Sequence, residues 1–320
     1  MVMARRFEWR RLASWVGQQR QWLRLGWRTG AVVAAGAGGV SLLSSAGSVA
    51  FLQKVHCLPA ASPLGYNPRV YIDRADIFYN AYLIDETYEL LIRFGSEANA
   101  PAELVWRLAR ATCEQGKIAK EKHVKKEKFA EAMRYAERAL AAPGAETEFA
   151  VHKWYAIVLN YHSEACGSRE QVARAEDVRS HLERALALNP ADATTWHILG
   201  LWHYGCADLS YLKRALASAL FGKPPESTFE KALECFAKAE ELEPLFYSSN
   251  QLYLGLTFEK LGRMEEAVER WKTAYSMGTL SVDDMAAKLQ AYDKLLGVGV
   301  DMKRPQTSIE SIVFSCLNRE

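Results

Sequence analysis

The sequence contains no CxxC pair, no HExxH, no GxSxG and no glycine loop followed by Lys-Ser or Lys-Thr. Those absences exclude the usual zinc, hydrolase and nucleotide sites. Gly36-Ala37-Gly38-Gly39 is glycine-rich, but no strand precedes it and no lysine closes it, so it reads as flexible sequence. Six cysteines are scattered, four inside helical patterns, which fits buried thiols in a reducing compartment. The seven histidines form no ligand pattern either. His197 and His203 are six apart and fall on different faces of one helix, and His203 reads as a half-buried packing residue. No metal, cofactor, catalytic residue or nucleic-acid partner is expected.

Charge is unevenly spent. Residues 1–30 hold seven arginines and one glutamate, net +6, so the formal +2 of the chain leaves 2 − 6 = −4 for residues 31–320. Arginine interleaved with Trp9, Trp15, Trp22 and Trp27 is the composition of a transit peptide, of a basic helix on an anionic membrane, or of a disordered basic arm. Residues 31–53 are a possible membrane segment, opening with the 22 uncharged residues Ala31–Leu52, rich in Gly, Ala and Ser. Residues 54–70 carry three prolines and read as a linker.

The rest is periodic. Within Ser248 to Thr279, Gly255, Phe258, Ala267, Trp271 and Ala274 occupy the eighth, eleventh, twentieth, twenty-fourth and twenty-seventh places of a tetratricopeptide-type unit. Small Gly255 and Ala267 belong where two antiparallel helices cross, Phe258 and Trp271 fill the seam, and Leu261-Gly262-Arg263 makes the turn. Three stretched copies precede it, marked by Trp106, Trp154 and Trp196-x-x-x-Gly200, with the tryptophans 48 and 42 residues apart. The first copy takes the insert GKIAKEKHVKKEK before Ala132, Ala136 and Ala139, and this insert is expected to be a solvated loop and helix start. A capping hairpin is expected over Tyr71–Phe94, turning at Asp85-Glu86-Thr87, and a capping helix after Ser281, whose box partner is Asp284. The expected fold is therefore all-α, a tetratricopeptide-like solenoid over 71–297 forming a right-handed superhelical arc, followed by a tail over 298–320.

Two surfaces stand out in the residues. Lys117, Lys120, Lys122, Lys125, Lys126 and Lys128, opposed by Glu121 and Glu127, could meet an acidic partner such as the tails of tubulin. Leu209, Leu212, Leu216 and Leu220 with Phe221 form an apolar stripe bordered by Lys213 and Arg214, suited to a lipid or a partner helix, or to packing on the solenoid. A repeat array also offers a concave face for protein partners.

The runs ELVWRLARA (103–111), HKWYAIVLN (152–160), LALNPADATTWHILGLWHY (186–204), SYLKRALASALFGKPPESTFEKALECFAKAEELEP (210–244) and FYSSNQLYLGLTFEKLG (246–262) resemble the regulator of microtubule dynamics family over about 95–296. The resemblance implies a non-enzymatic helical-repeat protein at microtubules, spindle and spindle poles, in the cytoplasm. It also implies, from membrane-anchored relatives, a mitochondrial or organelle-contact tether holding phospholipid. A generic peptide-binding adaptor remains the third reading.

Overall fold

The computed structural model describes residues 68–305 apart from 96, 98, 210–213, 215–217 and 219–224, together with Ser308 and Ile312. The readings placed on 1–67 lie outside them. Among the described residues every regular element is helical: α1 Pro68–Asn80, α2 Ile84–Gly95, α3 Ala102–Ile118, α4 Lys122–Ala141, α5 Phe149–Cys166, α6 Ser168–Leu188, α7 Ala193–Ala207, α8 Phe229–Leu242, α9 Ser248–Lys260, α10 Met264–Ser276 and α11 Val282–Gly297. Sequential helices pack as hairpins α1/α2, α3/α4, α5/α6, α7/α8 and α9/α10, and α11 closes the array against α9 and α10. That is the expected set of four repeat pairs between a capping hairpin and a capping helix.

Three hairpins share one crossing, in which a glycine of the first helix receives an aromatic ring of the second. A Cβ built on Gly255 would stand 2.5 Å from Trp271, one on Gly200 2.6 Å from Phe236, and one on Gly116 2.6 Å from Phe129. All three rings are buried, and the alanines beside the first two, Ala267 and Ala274 in one hairpin and Ala232 and Ala239 in the other, are fully enclosed. Only glycine lets the helices approach so closely. Trp106 is buried as the repeat predicts, whereas Trp154 and Trp196 are half-buried. Trp154 meets Tyr79 edge-on at 6.5 Å, and Trp196 Nε1 donates to the Pro190 carbonyl at 2.9 Å.

The turn at Gly262 closes α9 in a Schellman arrangement: Arg263 N–H donates to Phe258 O at 2.9 Å and Gly262 N–H to Glu259 O at 3.1 Å, with Gly262 at φ 77°. Ser281 caps α11 as expected. Its Oγ accepts the Asp284 N–H at 3.1 Å, while the Asp284 carboxylate accepts from the Leu280 N–H and the Ser248 hydroxyl.

Two expectations are corrected. The first hairpin turns at 81–83, not at Asp85-Glu86-Thr87: Tyr82 takes φ 57°, Leu83 N–H donates to Phe78 O at 2.9 Å, and Asp85 and Glu86 sit in the first turn of α2. Acidic side chains there oppose the positive end of the helix dipole, which is why they begin a helix and do not form the turn. Gly116 is a crossing residue of α3 and not the start of a loop; the lysine insert is absorbed by lengthening α3 and α4, with a break of only three residues, 119–121. The C-terminal stretch is anchored too, since Val300 and Met302 pack on the α9–α11 core, Tyr275 donates to Lys303 O at 2.6 Å, and Ile312 is fully buried beside Tyr82 and Ile84.

Candidate functional site

The lysine-rich hairpin tip divides into two populations. Lys120, Lys122 and Lys126 are exposed, with His123 between them, and none forms an ion pair with a described residue. Lys128 bridges to Glu131 at 3.0 Å and lies 4.6 Å from the Tyr88 ring centroid. Lys125 is half-buried beside α5, where burial pulls its pKa down and Glu164 partly restores it.

Lys117 does not belong to this surface. Its ammonium lies 2.9 Å from Glu114 in its own helix and 2.5 Å from Asp283 at the start of α11, with a side-chain exposure of 10%. Burial opposes the charged form, but Asp283 and Glu114 outweigh it and hold the ammonium well above its ordinary pKa. Burial pushes the Glu114 carboxyl up, against the pull of Lys117. Tyr247 donates to Asp283 at 3.0 Å, and the N–H of the neighbouring Val282 donates to the Tyr82 hydroxyl at 3.2 Å. In the sequence Lys117 looks like the lysines that follow it, because its partner Asp283 is 166 residues distant. The contact between α3 and the start of α11 is thus made by the chain's own charged and tyrosyl side chains.

Of the apolar stripe, Leu212, Lys213, Leu216, Leu220 and Phe221 lie outside the described residues. Leu209 is half-buried, and the Arg214 guanidinium donates to the Cys206 carbonyl at 3.3 Å.

Burial disfavours the charged form of four histidines, His152, His181, His197 and His203. His197 is fully enclosed in α7, its Nδ1 3.0 Å from Asn250 Oδ1, and burial drives it down to about 4 against the partial support of Asn250. His203 is half-buried, its Nδ1 2.6 Å from Ser227 Oγ, and burial followed by Lys231 and Arg179 takes it to about 4. His152 and His181, on α5 and α6, face each other Nδ1 to Nδ1 at 3.0 Å, a pairing that sequence spacing did not reveal. Among the described residues no group of three or more His, Cys, Asp or Glu could hold a metal ion, and no helix is long and apolar enough to cross a membrane. Cys113, Cys206 and Cys235 are buried free thiols, while Cys166 is exposed.

Comparison with known proteins places this helical array. Residues 71–298 match the family described as Regulator of microtubule dynamics protein 1-3. Regulator of microtubule dynamics protein 1 of Mus musculus is 36% identical over 226 residues, 70% of this chain and 73% of the relative. The Homo sapiens protein of the same name is 43% identical over 157 residues, 49% of each chain. Regulator of microtubule dynamics protein 3 of Xenopus laevis is 32% identical over 199 residues, 62% of this chain and 42% of the relative. Among solved structures, a thermophilic TPR protein of Thermus thermophilus aligns with 70% of this chain and 98% of its own at TM-score 0.48 and 17% identity. The all-helical array of repeat hairpins and its match over 71–298 make the chain a member of the regulator of microtubule dynamics family.

Proposed function

We propose that the chain is a non-enzymatic helical-repeat scaffold that binds microtubules, and that the exposed lysines at the α3/α4 tip make the contact. The observation that carries this reading is the separation within the lysine cluster. Lys117 is spent inside the fold, whereas Lys120, Lys122 and Lys126 stand in water without an ion pair to any described residue. Three exposed ammonium groups on one tip suit a flexible acidic partner, such as the C-terminal tails of tubulin, through attraction that salt screens over roughly 8–10 Å. The names of the relatives point in the same direction. Residues 31–320 are net −4, so the contact has to be local to the tip. Action at the cytoskeleton, including the spindle, belongs to the same proposal.

The test is co-sedimentation of the full chain with intact microtubules and with microtubules stripped of their acidic tails. Binding that weakens with salt and falls sharply on tail removal supports the reading. Equal binding to both preparations refutes the lysine contact, and no binding at low salt refutes direct association.

A further inference from the structure

Ser227 lies in the irregular stretch 225–228 just ahead of α8, and its Oγ is 2.6 Å from His203 Nδ1 on α7. Thr228 is the N-cap of α8, its Oγ1 accepting the Lys231 N–H at 3.3 Å, so Ser227 stands within one turn of the unpaired N–H groups and positive dipole end of that helix. The three neighbouring helices each contribute a basic side chain. His203 touches the Ser227 hydroxyl. Lys231 belongs to the first turn of α8, and Arg179 of α6 reaches over the Trp202 ring at 5.5 Å, with Trp202 edge-on to His203 at 5.1 Å. Burial first, then Lys231 and then Arg179, depress the His203 imidazole, so both cations act on the ring from their own helices. Arg179 is shared with Glu176 and Glu183 along α6. Lys231 and Arg179 thus bear on the imidazole that holds the Ser227 hydroxyl.

The local sequence supplies the other half. Glu226 precedes Ser227 and Glu230 follows three residues later, the arrangement recognised by kinases that select acidic flanks. Both carboxylates are exposed, and Glu230 is already engaged with the Thr228 hydroxyl, so water screens their repulsion of a nearby anion. Residues 225–228 belong to no helix, so a kinase has to fray only the first turn of α8 to read Glu230.

We propose that Ser227 is a phosphorylation site for an acid-directed protein kinase, and that His203, Lys231 and Arg179 form the receiver for the phosphate. The kinase transfers the γ-phosphoryl group of magnesium-bound ATP. A bond forms between Ser227 Oγ and phosphorus, the bond from that phosphorus to the β-phosphate oxygen breaks, ADP leaves, and the hydroxyl proton passes to the base of the kinase. The phosphoserine carries about −1.5 to −2 charge. Beside it the His203 imidazole, in its Nδ1–H tautomer, donates to a phosphate oxygen and its affinity for a second proton rises, while Lys231 and Arg179 change from a burden on the imidazole to partners of the anion. The result ties the chain ahead of α8 to α6 and α7.

The full-length chain is incubated with an acid-directed kinase and magnesium ATP, modified positions are mapped by tandem mass spectrometry, and the His203 ring is titrated by NMR before and after. Phosphate on Ser227 with the His203 pKa rising from about 4 by about one to two units is expected. In Ser227→Ala the rise should vanish, and in Thr228→Ala, which removes only the cap, phosphate should still reach Ser227. Modification confined to Thr228, no modification of the folded chain, or phosphoserine 227 with an unmoved His203 each overturns the proposal. To separate kinase choice from the receiver, phosphoserine is also installed at 227 during translation. An unchanged His203 titration in that protein is sufficient to reject the receiver.

Discussion

The crossing at Gly255 makes a quantitative claim about one methyl group. In Gly255→Ala the new Cβ would stand 2.5 Å from both Cδ1 and Nε1 of Trp271 and 3.0 Å from the Ala267 carbonyl oxygen. Ordinary carbon contacts need about 3.5–4 Å, so the indole has to retreat by about 1 Å. It has nowhere to go, because Trp271, Ala267 and Ala274 are all fully buried. Overpacking of this kind costs about 1–3 kcal/mol, against which Ala in place of Gly in a helix returns about 1 kcal/mol. The balance is a net loss of up to about 2 kcal/mol, which should lower Tm by up to about 8 °C for a domain of this size. Gly205, in α7, is the matched control: a Cβ there meets nothing within 4 Å. Gly205→Ala should leave Tm unchanged or raise it by about 1–3 °C. Thermal unfolding of the two variants side by side decides the matter. A Gly255→Ala protein as stable as Gly205→Ala would refute the close helix crossing.

Further outcomes follow from the same structure. Lys117→Met leaves Glu114 buried without its counter-ion and releases Asp283, and should destabilise by about 3 kcal/mol, read by chemical denaturation; Lys120→Met, at an exposed site, should change stability by less than about 0.5 kcal/mol. Acidification should destabilise the fold through His197. Its folded pKa, about 4, lies below the ordinary value of 6.5, so the unfolded chain takes up the proton first; stability is full above about pH 6.5, falls as pH drops towards about 4, and levels off below. The loss is about 3 kcal/mol, and a His197→Gln variant should flatten that part of the pH profile of denaturation. Among the described cysteines, Cys166 should react with a thiol reagent in the native state well before Cys113, Cys206 and Cys235, as peptide mapping of a timed labelling would show.

The repeat was legible where local chemistry suffices. Gly255 and Trp271, Gly262 at the turn, and Ser281 with Asp284 each announce their roles within a few residues, and all three behave as the spacing predicts. The α3/α4 hairpin was harder, because a frame anchored on Trp106 hid the pairing of Gly116 with Phe129; a glycine and an aromatic thirteen apart across a break was the available signal. Tyr82 in a left-handed conformation resembles no turn motif, and its hydroxyl is held by Val282, 200 residues away. Lys117 shows the general limit. Nothing near it in the chain distinguishes it from Lys120 or Lys122, and only the return of α11 to the end of α3 turns a surface charge into an internal one.

The most direct measurement for the functional account is microtubule co-sedimentation of the full chain carrying Lys120→Glu, Lys122→Glu and Lys126→Glu together, with unfolding followed on the same preparation. The account predicts unchanged stability and binding weakened by about an order of magnitude at low salt. Undiminished binding by that folded variant would contradict it.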